Sequence, residues 1–159
     1  MVLPLLLFNL ALLGLSLLLG AAVYESVVMA PNFERDIPAS IDAARAFLQR
    51  RTPAHFFRVI APITQLLLVG SVIAAWGIPT ARWPALAALV PLVLVDVITF
   101  TFHYPRLAIM FKSAVPVAAD QLQRAAREWA QGNIVRVLLL LVAWLSLLHG
   151  LVKGLAETG

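Results

Sequence analysis

The sequence predicts an all-α fold: an integral membrane four-helix bundle with two short extramembrane amphipathic helices on one side. Three observations carry this. Of the 159 residues, 62% are hydrophobic and 13% charged, against about 25% charged in an ordinary soluble domain. Residues 1–24 and 59–81 contain no Asp, Glu, Lys or Arg, and a bilayer core about 30 Å thick needs about 20 apolar residues in helical form. The charged residues that remain collect in two stretches between the apolar runs. The length fits one transmembrane domain covering residues 1–159.

The first span is expected over residues 3–30, ending before Pro31-Asn32. Its start lacks the basic region of a signal peptide, and its apolar stretch exceeds the usual 7–15 or so residues, so it reads as a retained helix. From Ile37 to Arg51 the chain is amphipathic, with Ile37, Ile41, Ala44 and Leu48 on one helical face. That face suits either the membrane surface or a loop helix. The second span is expected over 53–78 with Pro79 closing it, and the third over 84–110 after a short turn. Pro105 marks a kink or an end there. A second amphipathic helix is expected from Val117 to Gln131, with Gly132 as its stop, and the fourth span over 133–152.

Ten of the twelve basic residues fall on the side of the two long loops, leaving Arg82 and Lys153 opposite. The positive-inside rule puts the long loops in the cytoplasm and both termini outside, periplasmic if the membrane is a bacterial inner membrane. The same rule accounts for the net charge of +4 without a nucleic-acid partner; the partner that the composition requires is the lipid bilayer. No Cys is present, which excludes disulfides, thiolate metal sites and a cysteine nucleophile.

The polar residues of the spans gather at the long-loop end. Tyr24 and Glu25 lie at the end of the first span. His55, Arg58, Pro62 and Gln65 share a face of the second, and Asp96, Thr99 and His103 a face of the third. Trp129, Asn133 and Arg136 follow at the fourth. An ionisable group at membrane depth costs about 2.5–3.5 kcal/mol on insertion scales, so such groups face the bundle interior and find partners. These stripes predict a polar pocket with an apolar floor, with Asp96 deepest and Glu25, His55, His103 and Arg136 around the mouth. The plainer alternatives are snorkelling of Arg58, Arg106 and Arg136 to the headgroups and a buried ion pair of Asp96 with Arg58 or Arg136.

Asp96, His103 and His55 are the candidate catalytic groups, as acid, base or proton shuttle. Arg58, Trp129, Asn133, Arg136 and Tyr24 are the candidate substrate-binding residues. Arg136 with Asn133 would hold a developing oxyanion. Phe56, Phe57, Phe100, Phe102, Tyr104 and Trp129 add aromatic surface suited to a lipophilic small molecule. No cofactor is required by the residues. A metal is open, with Glu25, His55 and His103 the set that could hold it, since Asp96 and His103 are about 10 Å apart along a helix. A homo-oligomer is also open.

The run Tyr24-Glu25-Ser26-Val27-Val28-Met29-Ala30-Pro31-Asn32, the polar residue and prolines of the third span, and Glu128-Trp129-x-x-x-Asn133-x-x-Arg136 resemble the anthrone-oxygenase-like family of small four-helix membrane proteins. The resemblance covers nearly the whole chain in layout. It implies a four-helix membrane fold. In members with an assigned role it implies oxidation of anthrones to anthraquinones by dioxygen, without a well-established cofactor. By position, Asn133 and Arg136 match that family's polar residues on the fourth span, and Pro31-Asn32 its exit from the first. Two functions follow as expectations. One is an oxygenase or redox enzyme acting on a lipophilic aromatic or quinone-like substrate. The other is a non-catalytic binding, transport or assembly protein whose pocket holds a ligand or partner. A reporter active only in the cytoplasm, fused to the C-terminus, is expected to stay silent; a strong signal reverses the orientation.

Overall fold

The computed structural model describes residues 2–113 and 115–156. The chain is an all-α integral membrane bundle, and four helices are long and apolar enough to cross a bilayer: Leu3–Glu34, Pro53–Ala74, Pro79–Phe111 and Ala119–Lys153. Span 1 comprises α1 (Val2–Tyr24), a π-helical turn (Glu25–Met29) and α2 (Ala30–Glu34). The short α3 (Ala39–Phe47) follows, and α4 (Pro53–Ala74) is span 2. Span 3 comprises α5 (Pro79–Ile98), a second π-turn (Thr99–His103) and α6 (Tyr104–Phe111), and α7 (Ala119–Ala156) contains span 4. The helices close into a ring in which α1 touches α4 and α7, and α5 touches α4 and α7.

Several element ends differ from expectation, each for a local reason. Pro31 and Pro105 do not end their helices. Each stands second after a π-turn, in which Ala30 N–H donates to Glu25 C=O and Tyr104 N–H to Thr99 C=O. A proline collides with the carbonyl four residues back and offers it no N–H. The wider π-turn relieves that collision, and the helix continues. Pro79 opens span 3 rather than closing span 2, which already stops at Ala74; proline is favoured in the first helical turn.

Gly132 is not a stop either. The segment read as a second amphipathic helix forms the first turns of the 38-residue α7. The glycine is there for close approach: a Cβ would sit 2.8 Å from Phe102 and 2.9 Å from the His103 ring. In α3, Ile41 is fully buried and Ile37 and Ala44 pack beside it, on Phe33, Met110, Ala126 and Trp129. Its apolar face is therefore turned to the protein itself, and Phe47 is left 87% exposed.

The core has two parts. Inside the bilayer, Phe8, Leu15, Leu18, Leu68, Leu92, Leu140 and Leu147 interdigitate with small residues such as Ala11, Ala88 and Ala143. Small residues let membrane helices approach closely, where packing rather than hydrophobicity drives association. The second part is the cap formed by α2, α3, α6 and the start of α7. At the short-loop end the Arg82 guanidinium lies over Trp76 and Trp83, at 5.1 and 4.9 Å, an arrangement suited to the bilayer interface. The hydroxyls of Thr64, Ser71 and Thr99 donate to carbonyls four residues back in their own helices, so they weld no helices together.

The tightest crossing is between spans 1 and 2. A Cβ on Gly14 would collide with the hydroxyl of the fully buried Thr64. Overpacking a membrane core costs about 1–3 kcal/mol. Gly14→Val is therefore expected to lower the thermal unfolding midpoint in detergent, and adding Thr64→Ala should recover most of the loss.

Candidate functional site

Glu25 and His103 belong to the two π-turns, and both line one cavity. A π-turn inserts one residue and re-aims the side chains after it. Glu25 is 6% exposed while Tyr24 is 58% exposed, since adjacent helical residues point about 100° apart. Tyr24 lines no part of the cavity and is set aside as a binding residue.

The cavity has a volume of about 280 Å³ and lies at the long-loop half of the bundle. Its floor is apolar, formed by Leu18, Leu92, Val95 and Leu140. Its polar wall carries Glu25, Arg58, Gln65, Asp96, His103 and Arg136, with Phe57, Phe100, Tyr104 and Trp129 between them. Of the polar stripes, Arg58, Pro62 and Gln65 of span 2, Asp96, Thr99 and His103 of span 3 and Trp129 and Arg136 of span 4 line this cavity, and His55 and Asn133 do not. Among the described residues the backbone of α4 comes close to α5 but not to α6. The two spans diverge at the long-loop end, and Arg58, Phe100 and Tyr104 stand where they part.

Arg136 organises the inner wall. Its Nη1 donates to Asn133 Oδ1 at 3.0 Å and approaches Glu25 Oε2 at 3.3 Å. The side chains of this ion pair are 6% and 7% exposed. The guanidinium carbon also lies 4.7 Å from the centre of the Phe57 ring. Asn133 is fully buried and stands behind Arg136 rather than on the cavity surface, so it positions the arginine. Asp96 is half-buried on the cavity wall and accepts a hydrogen bond from the Gln65 amide. Among the described residues it has no ion-pair partner, which removes the reading of a structural pair with Arg58 or Arg136.

His103 is 1% exposed. It is not at the rim beside His55 but on the inner cavity, its ring edge-on to Trp129 with centroids 6.3 Å apart. Gly132 lets it lie against α7. Neither ring nitrogen has a hydrogen bond of full geometry, and Asn133 Nδ2 and Arg136 Nε are likewise without one. Buried polar atoms are almost always paired, so this group stands out.

His55 takes a different place. Its Nδ1 caps the start of α4, accepting from Thr52 N–H at 3.1 Å and lying 3.2 Å from the Thr52 hydroxyl. It faces an outer vestibule of about 790 Å³ and not the inner cavity. That corrects its placement with Asp96 and His103. It also breaks the proposed metal set: among the described residues no three His, Asp or Glu side chains come close enough to hold an ion. Arg106 is not a snorkelling residue, since its Nε donates to Glu128 at 2.8 Å and its guanidinium lies over Phe102.

Sequence reasoning left out Gln65 as a partner for Asp96 and the Phe57 face beneath Arg136. Both sit at the right helical spacing, but which residue of another span lies opposite depends on register between helices. No family model matches the chain, no curated protein matches it, and no solved structure matches it.

Removing one partner of a buried ion pair costs about 3–5 kcal/mol, whereas replacing both by apolar residues is often neutral. Glu25→Met and Arg136→Met are each expected to unfold at markedly lower temperature than the parent protein. The double variant should regain most of that stability. A double variant no more stable than either single one would show that the pair does not act as a unit.

Proposed function

We propose that this protein binds a lipophilic aromatic or quinone-like molecule within the long-loop half of the bilayer and oxidises it, as an enzyme of the anthrone-oxygenase-like kind. In this reading it sits in a bacterial inner membrane with both termini periplasmic and its long loops cytoplasmic, an orientation that rests on the distribution of Lys and Arg. The observation that carries the proposal is His103: fully buried, on the wall of a cavity of about 280 Å³, its ring against Gly132 and, among the described residues, neither ring nitrogen in a hydrogen bond of full geometry. Convergent polar groups on an otherwise apolar, aromatic-lined cavity are what small-molecule sites offer. The volume is close to the lower end of such sites, about 300–1,000 Å³.

The roles follow from position. The substrate enters sideways from the lipid, between α4 and α6, past Phe100 and Tyr104. Its flat body lies on the apolar floor. Its oxygen faces Arg136, whose charge, steadied by Asn133, favours the oxyanion form. His103 or Asp96 takes the proton from the carbon to be oxidised. For an anthrone, that methylene carbon loses two hydrogens and gains one oxygen atom from dioxygen, while the second oxygen leaves as water. The chain's own residues bind, orient and move the proton; dioxygen is the oxidant.

A second reading, a protein that holds the ligand without converting it, is favoured by one observation: Arg136 and Asp96 already have protein partners in Glu25 and Gln65.

Purified protein incubated with an anthrone and dioxygen separates these readings. Turnover is expected to form anthraquinone with one dioxygen taken up per product. General acid–base groups contribute about 10²–10⁴-fold, so His103→Phe should reduce the rate by at least the lower figure. Asp96→Asn, which can keep the bond to Gln65, should slow turnover without lowering the unfolding temperature. Binding without product supports the holding role, and neither binding nor product overturns both readings. Metal analysis and mass spectrometry of small molecules extracted from the same sample identify any native ligand.

A further inference from the structure

We propose that the outer vestibule is an anion-binding site, which holds the negatively charged oxygen head of an amphiphile whose apolar body fills the inner cavity. The proposal rests on the inner cavity binding a lipophilic molecule and adds the chemical class of that molecule.

The vestibule, about 790 Å³, shares Glu25, Arg58, Phe100, Tyr104 and Trp129 with the inner cavity. The two are therefore successive compartments of one site. Their charges differ. The ionic side chains of the vestibule are Arg45, Arg58 and Lys112 against Glu25 alone. Glu25 is committed to Arg136, 3.3 Å away. Arg45 is committed too, to Asp42 at 2.9 Å and to the Met110 carbonyl at 2.7 Å. The exposed side chains of Arg58 and Lys112 have no hydrogen bond, ion pair or ring contact among the described residues, and Lys112 bonds only through its backbone N–H, to Ala108 C=O. They project from different elements, span 2 and the end of span 3.

The backbone contributes only weakly, since Pro53 has no N–H and the His55 N–H is already taken by Thr52. Thr52, Pro53, Ala54 and His55, the start of the 22-residue α4, form part of the vestibule wall. The N-terminus of a helix carries partial positive charge and favours anions. The cap formed by Thr52 and His55 uses His55 Nδ1, which leaves Nε2 without a protein partner. Simple snorkelling explains one arginine reaching the headgroups. It does not explain why two uncommitted cations from different spans line one compartment that is continuous with an aromatic-lined cavity. Both cations face the vestibule, so a phosphate or carboxylate held there pairs with Arg58, with Lys112 or with both.

That anionic head has two sources, a free acidic small molecule or a phospholipid, and two measurements tell them apart. The first uses protein in nanodiscs of phosphatidylcholine, with empty discs subtracted. Fluorescence binding of anthracene-9-carboxylate is compared with that of neutral 9-methylanthracene. A free acidic ligand predicts a preference for the carboxylate of about tenfold, the scale of one charge-assisted hydrogen bond. Lys112→Gln should reduce that preference, Arg58→Gln with Lys112→Gln should abolish it, and Arg58→Lys should keep it. The second measures phosphatidylglycerol co-purified from membranes by mass spectrometry. A lipid head predicts retention in the parent protein and loss in the double variant.

Either result supports an anion site and names its source. Equal affinity for the two probes together with unchanged phosphatidylglycerol retention overturns it. If 9-methylanthracene fails to bind the parent protein, the inner-cavity reading falls instead, and the lipid measurement still decides the vestibule.

Discussion

A charge inside a bilayer has to be paired within the protein, and here the pair is Glu25 with Arg136. One comes from the end of the first span and the other from the last. Insertion of either alone is costly, so the two spans must meet at this depth, and that meeting sets the place of everything else. Asn133 and Phe57 enclose the guanidinium from two further directions. With Arg136 held there, the α7 face that carries it also carries Gly132, against which His103 packs. The cavity is the space these contacts enclose above the apolar floor.

The two halves of the bundle obey different rules. In the dry half, helices interlock through alanines and leucines, and buried hydroxyls are satisfied within their own helices. One polar contact crosses between helices there, the Trp144 indole N–H donating to the Ser16 hydroxyl at 2.9 Å. In the other half an apolar cap is joined by specific contacts: an ion pair, an amide on a carboxylate, a ring edge on a ring. Specific contacts tolerate few arrangements, so the site needs the indifferent half as a clamp. The gap between α4 and α6 is compatible with this, because the same helices are held together lower down, where α4 meets α5.

Much of this was legible before any coordinates. Charge-free stretches of sufficient length leave little choice but to span a membrane, and helical spacing on spans 3 and 4 is enough to send Asp96, His103 and Arg136 inward, while Arg58 stays exposed at the mouth. What could not be read depends on relations between helices. That Gln65 faces Asp96 is a matter of register between spans. That His55 turns to Thr52 is a local competition: the capping box usually has Glu or Gln at that position, and a histidine there looked like a free ligand. Gly132 and Pro105 were read as helix breakers, the meaning they have in water-soluble chains. In the bundle one gives room to His103, and the other is absorbed by a wider turn.

The π-turns have a consequence for how this chain can change. Each is a surplus residue carried inside an otherwise regular helix, and each stands between the indifferent half and the specific half. Substitutions in the leucine-rich region can shift a helix slightly without rotating Glu25 or His103, because the wide turn takes up the shift. Loss of a single residue from 25–29 or 99–103 acts in the opposite way. It restores regular winding and brings Pro31 or Pro105 back against a carbonyl. Insertions and deletions should therefore be far less tolerated at these two turns than in the long loops a few residues away, even though both lie at the same end of the molecule.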